Sequence, residues 1–115
     1  MRILTRWRIW LNLMPDEMGK PVFTRKAAAD LNDIWDYTYD TWSAEQANTY
    51  YNNLLADFGK VADKPENLGR HYDNVRPAVK AYPSGKHIIF FRKLQDGRVR
   101  IIRILHERMD FKRHL

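Results

Sequence analysis

HIIFFRKLQDGRVRIIRIL, residues 87–105, is the stretch of sequence that decides the fold. Its two halves are rich in β-branched and aromatic residues, which favour strands. Asp96-Gly97 between them favours a tight type I′ turn, because both residues tolerate positive φ. The stretch therefore predicts a β-hairpin. Strict alternation along the second strand predicts two mixed faces. Val99, Ile101 and Leu105 lie on one, and Ile102 and Ile104 lie on the other, beside Arg98, Arg100 and His106.

Two amphipathic helices are predicted before the hairpin. The first covers residues 26–41, where apolar residues fall on one arc and four aspartates fall on the opposite arc: Asp30, Asp33, Asp36 and Asp40. Because aspartates spread along a helix cannot converge on one ion, this stripe is predicted to be a solvated face. The second helix begins at the capping box Ser43-Ala-Glu-Gln46 and ends before Pro65. With almost no loop between them, the helices must form an antiparallel hairpin whose apolar faces need a sheet to cover them.

The remaining strands complete a predicted α+β domain over residues 18–115. Residues 21–24 are expected to form a short edge strand, where Pro21 is tolerated, and residues 79–82 another strand. The order β-α-α-β-β-β then packs one helix hairpin on one small antiparallel sheet. Residues 1–17 have apolar residues at helical spacing, but their uncharged run is too short to span a membrane. They are expected to be an N-terminal extension that forms an amphipathic helix.

The composition restricts the chemistry and indicates a charged partner. The 115 residues include no cysteine, which excludes a disulfide scaffold, a thiol nucleophile and thiolate zinc sites. No two histidines have the spacing of metal ligands, so we expect no metal and no cofactor. Residues 18–69 hold 5 Lys/Arg against 8 Asp/Glu, a net charge of −3, whereas residues 70–115 hold 12 against 4, a net charge of +8. This split predicts one face that meets a negatively charged partner.

Several segments, in this order along the chain, resemble the ParE branch of the RelE/ParE toxin superfamily of bacterial type II toxin–antitoxin pairs. The most specific is ILHERMD (104–110), followed by YPSGKHIIFFR (82–92); the others are TRKAAADL (24–31) with IWDY (34–37), Gln46-Ala47 with Tyr50, and Pro65 with Leu68-Gly69-Arg70. The resemblance covers residues 20–115. It implies a small cytoplasmic toxin that traps DNA gyrase on cleaved DNA and is neutralised by a ParD-like antitoxin. It also implies no cofactor, no membrane and no sequence-specific DNA binding by the toxin alone.

The antitoxin implied by the resemblance has a flexible, acidic C-terminal arm. Such an arm needs apolar anchors in a groove and cations at the rim of that groove. The mixed faces of the hairpin would supply the groove. We hypothesise that five residues of the basic half bind the carboxylates of the arm: Arg76, Lys80, Arg92, Arg100 and Arg103. We further hypothesise that the C-terminal residues 103–115 meet the target, through Arg103, Arg108, Met109, Phe111, Lys112 and Arg113.

Two other functions stay open from the sequence. RelE-like members of the superfamily cut mRNA on the ribosome, and metal-free cleavage needs an acid, a base and cations. His106 and Glu107 are the candidate acid and base, with Arg103 and Arg108 as the cations. On a continuing strand the two neighbours would project to opposite faces, whereas a turn after Leu105 would bring them together. The third function is a nucleic-acid-binding module that uses the basic and aromatic residues of the hairpin. The resemblance favours a non-catalytic protein.

Overall fold

The computed structural model describes residues 21–72 and 76–115, and the helix predicted within residues 1–17 lies outside them. The elements of the described chain are β1 (Val22–Phe23), α1 (Arg25–Thr41), α2 (Ala44–Asp63), β2 (Arg70–His71), β3 (Lys80–Ser84), β4 (His87–Lys93), β5 (Val99–His106) and α3 (Phe111–His114). The predicted α+β class, the helix hairpin and the hairpin of β4 and β5 are confirmed.

Side-chain caps fix where the two long helices begin. Thr24 accepts from the backbone N–H of Ala27 at 3.0 Å to start α1, and Ser43 accepts from that of Gln46 at 3.2 Å to start α2. Both helices turn their apolar stripes to one face of the sheet. The inner core between them contains Ala27, Leu31, Ile34 and Trp35 of α1, Tyr51, Leu54, Leu55, Phe58 and Val61 of α2, and Ile89, Phe91, Val99, Ile101 and Ile104 of the sheet.

The sheet has the strand order β1-β5-β4-β3-β2 and is mixed, not purely antiparallel. β1 lies parallel to β5, with Val22 opposite Arg100 and Phe23 opposite Ile101. The prediction of a purely antiparallel sheet is therefore wrong at the edge formed by β1. A hairpin turn would have forced antiparallel pairing, but β1 and β5 are far apart in sequence and no local signal sets their direction. The other difference is β2, two residues that pair with β3 and that are not predicted as a strand from the sequence.

A β-bulge in β5 changes which residues share a face. Phe90 pairs with Arg103 and Phe91 pairs with Ile101, so Ile102 is an extra residue on β5. The face assignment from strict alternation is wrong beyond this point, because one unpaired residue shifts the alternation by one. The inner core consequently contains Val99, Ile101 and Ile104, and the opposite face contains Ile102 and Leu105.

The face of the sheet opposite α1 and α2, which we call the outer face, carries a second apolar cluster. Its buried members are Val79, Ala81, Phe90, Ile102 and Leu105. α3 folds back over this cluster. The ring centroid of Phe111 lies 5.0 Å from that of Phe90 and 6.1 Å from that of Tyr72. Leu115 packs against the same cluster. The C-terminus of the chain thus covers part of the outer face. In the part of the chain that is described, no helix combines the length and apolar character needed to cross a membrane.

Candidate functional site

Side chains of α1 close the edge of β5. Because β1 ends at Phe23, no strand of the described residues lies beside the rest of β5 on that side. Thr24 Oγ1 donates to the carbonyl of Ile102 at 2.8 Å, and Asp30 Oδ2 accepts from the N–H of Ile104 at 3.0 Å. These two side chains satisfy backbone polar groups of an otherwise open strand edge.

Asp30 also forms a bidentate ion pair with Arg103. Nε and Nη2 of Arg103 donate to the two carboxylate oxygens at 2.7 and 2.8 Å. The side chains of Arg103 and Asp30 are only 15% and 13% exposed. The predicted solvated stripe of α1 is therefore wrong at Asp30, although Asp33 and Asp40 are exposed. At 100° per residue, Asp30 lies about 40° around the helix from the edge of the apolar arc, and the other three aspartates lie farther from it. This position next to the apolar arc is the feature of the sequence that could have indicated partial burial of Asp30.

Arg103 is consequently not a free surface cation. Its hydrogen bonds to Asp30 raise the pKa of the guanidinium above the ordinary value. Its Nη1 donates to the carbonyl of His114 in α3 at 3.3 Å. A guanidinium held by two carboxylate oxygens and a carbonyl has few donors left for another molecule. The structure therefore places Arg103 in contacts within the protein, and its predicted use in antitoxin binding, in target binding and in catalysis stays a prediction.

Arg92 and Arg100 are the members of the predicted antitoxin-binding set that the structure brings together. They lie directly opposite each other on β4 and β5, on the outer face. The Nε of Arg92 is buried and has no hydrogen-bond partner among the described residues. Like charges opposite each other in a sheet repel, and a buried donor without a partner costs free energy. Both features are typical of a site that an anionic group completes.

The other two members of that set lie elsewhere. Lys80 shares a face with the inner core, and its Nζ donates to the carbonyls of Pro65 at 2.8 Å and Glu66 at 3.3 Å. Lys80 therefore holds the loop after α2 and is separated from the arginine pair, which corrects its place in the predicted set. Arg76 is half-buried ahead of β3, and its backbone N–H donates to the carbonyl of Tyr72 beside the outer cluster.

The C-terminal segment, residues 107–115, docks on the outer face. Asp110 caps α3 by accepting from the N–H of Lys112 at 3.2 Å, and Phe111 packs into the outer cluster. Phe111 is therefore partly buried in the fold, and its predicted contact with the target stays a prediction. Met109, by contrast, is 45% exposed. The members of the predicted target-binding set that are exposed are Arg108, Met109, Lys112 and Arg113.

His106, Glu107 and Arg108 line one cavity at the end of β5. The strand ends at His106 and the chain turns, so neighbours that would point apart on a strand converge. The cavity has a volume of about 260 Å³ and is also lined by Lys86, His87, Tyr37, Thr38, Trp42 and Tyr50. Arg103, the fourth residue of the nuclease hypothesis, does not line it. The three residues that do converge, with Lys86, offer acid, base and cationic groups.

A half-buried tyrosine–histidine pair forms one wall of this cavity. Tyr50 Oη lies 2.6 Å from Nδ1 of His87 and accepts from the N–H of Lys86 at 2.9 Å. Burial, helped by repulsion from His106, lowers the pKa of His87 to about 4, and burial raises the pKa of Tyr50. Both groups are therefore neutral at neutral pH. Sequence reasoning missed this pair, because a contact between residues 37 apart leaves no local pattern. Within residues 21–72 and 76–115, no three His, Asp or Glu side chains gather as metal ligands.

The fold is shared with a solved toxin–antitoxin structure. A chain of the chromosomal ParDE TA system from P. aeruginosa matches with a TM-score of 0.64 and 24% sequence identity, covering 78% of this chain and 97% of that chain. The fold thus places the protein in the class of small α+β proteins built on a helix hairpin and a five-stranded sheet.

The sequence comparisons define the family within that class. A family model described as ParE toxin of type II toxin-antitoxin system, parDE, matches residues 22–111. Toxin ParE1 of Mycobacterium tuberculosis is 38% identical over 89 residues, which cover 77% of this chain and 90% of that protein. Toxin ParE1 of Caulobacter vibrioides is 39% identical over 92 residues, which cover 80% of this chain and 93% of that protein. The chain belongs to the family of ParE toxins of type II toxin–antitoxin systems, and the predicted resemblance is confirmed.

Proposed function

We propose that this ParE toxin inhibits DNA gyrase in the cytoplasm by binding it through the exposed part of the C-terminal segment. The arrangement of that segment carries the proposal. Phe111 anchors it to the outer face, while Lys112, Arg113 and Met109 are exposed on it. A basic surface that includes an exposed methionine is typical of a contact with a large, negatively charged partner. The identity of the partner comes from the resemblance to ParE-like toxins.

Inhibition by binding, without catalysis, agrees with the described contacts. Arg103, one of the two cations of the nuclease hypothesis, has three of its five N–H donors bound to Asp30 and to the carbonyl of His114. A guanidinium held in this way is poorly placed to stabilise a developing phosphorane charge. We therefore propose that the toxin acts as a stoichiometric inhibitor.

Joint replacement of Lys112 and Arg113 by serine tests the proposed target site. Both side chains are exposed, so the fold is expected to persist. Inhibition of supercoiling by purified gyrase is expected to weaken by up to about thirtyfold, since two rim contacts of up to about 1 kcal/mol each are lost. The matched control replaces Arg25 and Lys26, which are exposed on α1 and carry the same charge. Full inhibition by the Lys112 and Arg113 variant would contradict the proposed site.

The acidic arm of a ParD-like antitoxin is proposed to bind the outer face at Arg92 and Arg100. A carboxylate between them would offset the repulsion of the two guanidinium groups and would give the buried Nε of Arg92 an acceptor. Each exposed cation at the rim contributes about 0–1 kcal/mol, so apolar anchors beside the outer cluster should carry most of the affinity. The complex is therefore expected to persist at about 0.5 M NaCl. Complete dissociation at that salt concentration would contradict the view that apolar anchors contribute more to the affinity than charged contacts.

Ribosome-dependent cleavage of mRNA is the second candidate function. One observation favours it: His106, Glu107 and Arg108 converge on one cavity with Lys86. In such a reaction the base takes the proton of a 2′-hydroxyl, whose oxygen attacks the adjacent phosphorus, and the acid protonates the departing 5′-oxygen. Replacement of His106 or Glu107 by alanine would then abolish cleavage. A toxin that acts only by binding gyrase keeps its inhibition in both variants.

A further inference from the structure

We infer that the ion pair between Asp30 and Arg103 positions the C-terminal segment for target binding. The inference rests on the proposed function, because it concerns Lys112 and Arg113, which are proposed to bind the target. Asp30 and Arg103 do not themselves contact the target. They are positioning residues that act through the backbone of His114.

The ion pair is a fixed point of the fold. The Asp30 carboxylate accepts two hydrogen bonds from Arg103, at 2.7 and 2.8 Å, and a third from the N–H of Ile104 at 3.0 Å. Both side chains are mostly buried, with 15% of Arg103 and 13% of Asp30 exposed. A guanidinium that meets a carboxylate through two parallel bonds is fixed in orientation as well as in distance. α1 and β5 together therefore set where the remaining Nη1 of Arg103 points.

α3 depends on its contacts with the sheet to keep its shape. It has only 4 residues, whereas an isolated helix in water needs roughly 12–15. The Asp110 cap and the docked ring of Phe111 hold its beginning. Packing of Leu115 and the Nη1 of Arg103, which donates to the carbonyl of His114 at 3.3 Å, hold its end. That carbonyl is one of the terminal acceptors that a helix cannot satisfy internally.

The proposed target-binding residues lie between these two attachments. When the attachment at His114 is lost, the packing of Leu115 alone holds the end of the turn, and Lys112 and Arg113 sample other conformations. Arg103→Lys removes this attachment with little other change. Lysine keeps the charge and can bind Asp30, but one ammonium group cannot reach two carboxylate oxygens and a carbonyl in the fixed geometry of a guanidinium.

The test compares the wild-type chain with Arg103→Lys and Asp30→Asn by backbone ¹⁵N relaxation. The wild type is expected to have order parameters of about 0.8 over residues 112–115, and both variants are expected to fall below about 0.6 there. Inhibition of gyrase is expected to weaken about tenfold in both variants, the effect of losing one hydrogen bond to a charged group. Binding of a peptide with the acidic arm of a ParD-like antitoxin is expected to change less than about twofold.

The control is Arg98→Lys. Nε of Arg98 donates to Oδ2 of Asp96 at 2.8 Å in the exposed turn between β4 and β5, so the control makes the same chemical change in an arginine–aspartate pair away from α3. It should leave the order parameters of residues 112–115 and the inhibition of gyrase as in the wild type.

Unchanged order parameters in Arg103→Lys would overturn the inference, whatever the target is. Increased mobility with full inhibition would also overturn it, provided that joint replacement of Lys112 and Arg113 by serine weakens inhibition. If that joint replacement inhibits fully as well, the proposed target site has failed. The order parameters then decide alone whether the ion pair holds the segment.

Discussion

Replacement of His87 by glutamine is expected to make the protein less sensitive to acid. His87 is the first residue of β4, and its Nδ1 lies 2.6 Å from the hydroxyl of Tyr50. Burial, with a smaller contribution from His106, lowers the pKa of His87 from 6.5 to about 4, against the opposing effect of Asp30 and Glu107. The native chain therefore keeps this imidazole neutral over a pH range in which the unfolded chain protonates it.

The size of the effect follows from proton linkage. Because the pKa of His87 is lower in the folded state, the unfolded state binds the extra proton, and the free energy of unfolding falls as the pH decreases. The stabilisation is fully present above about pH 6.5 and is lost as the pH falls to about 4. The whole shift, from 6.5 to about 4, is worth about 3.5 kcal/mol at about 1.4 kcal/mol for each pKa unit, and about 2.5 kcal/mol of it falls between about pH 7 and about pH 4.5. His87 keeps some contact with solvent, which reduces the expected loss to about 1.5–2 kcal/mol.

Urea unfolding at about pH 7 and about pH 4.5 measures this effect. Between the two pH values, the wild type is expected to lose about 1.5–2 kcal/mol more stability than His87→Gln, because glutamine can accept from Tyr50 but does not titrate. His71→Gln changes an exposed histidine on β2 and serves as the control, which should follow the wild type. Equal pH dependence in the wild type and His87→Gln would refute the reasoning.

Three further substitutions test the packing that supports the site. Phe58→Ala empties a fully buried position of the inner core and should lower the free energy of unfolding, measured in urea, by about 3–5 kcal/mol. A loss below about 1 kcal/mol would contradict the assigned core. Gly85→Ala would place a methyl group 2.5 Å from the ring of Tyr50, whereas the new carbon of Gly97→Ala meets nothing within 4 Å. The melting temperature of the protein should therefore fall more with Gly85→Ala than with Gly97→Ala. Equal losses would argue against the contact with Tyr50. Thr24→Val removes the cap of α1 and a hydrogen bond to the edge of β5, and should lower the free energy of unfolding by about 1–2 kcal/mol. The midpoint of urea unfolding should fall accordingly, and an unchanged midpoint would count against both hydrogen bonds.

The helices and the hairpin of β4 and β5 are predictable because neighbouring residues specify each of them. Ser43 caps α2 as the capping box predicts. The hairpin turns at the predicted residues, but the predicted type I′ turn is wrong, because Gly97 has positive φ (+89) and Asp96 does not. Periodicity within one element also predicts which helix face is buried. The pairing of β1 with β5 and the ion pair of Asp30 with Arg103, 73 residues apart, leave no comparable pattern, since they join distant parts of the chain.

The candidate site is predictable in composition but not in arrangement. The excess of cations after residue 70 predicts a basic surface, yet net charge does not tell whether a given cation already has a partner in the same chain. Arg103 and Lys80 bind groups of the protein itself, whereas Arg92 and Arg100 remain together on the outer face. The bulge at Ile102 adds a second obstacle, because one extra residue reassigns the faces of everything after it.

The proposed action of the toxin is to bind gyrase without making or breaking a bond. The most direct measurement adds increasing amounts of purified toxin to gyrase with plasmid DNA and, in parallel, to ribosomes translating an mRNA. Supercoiling is expected to stop at near-stoichiometric toxin while the mRNA stays intact, and His106→Ala and Glu107→Ala should inhibit gyrase like the wild type. Cleavage of the mRNA that disappears in either alanine variant, with supercoiling unaffected by the toxin, would contradict the proposal.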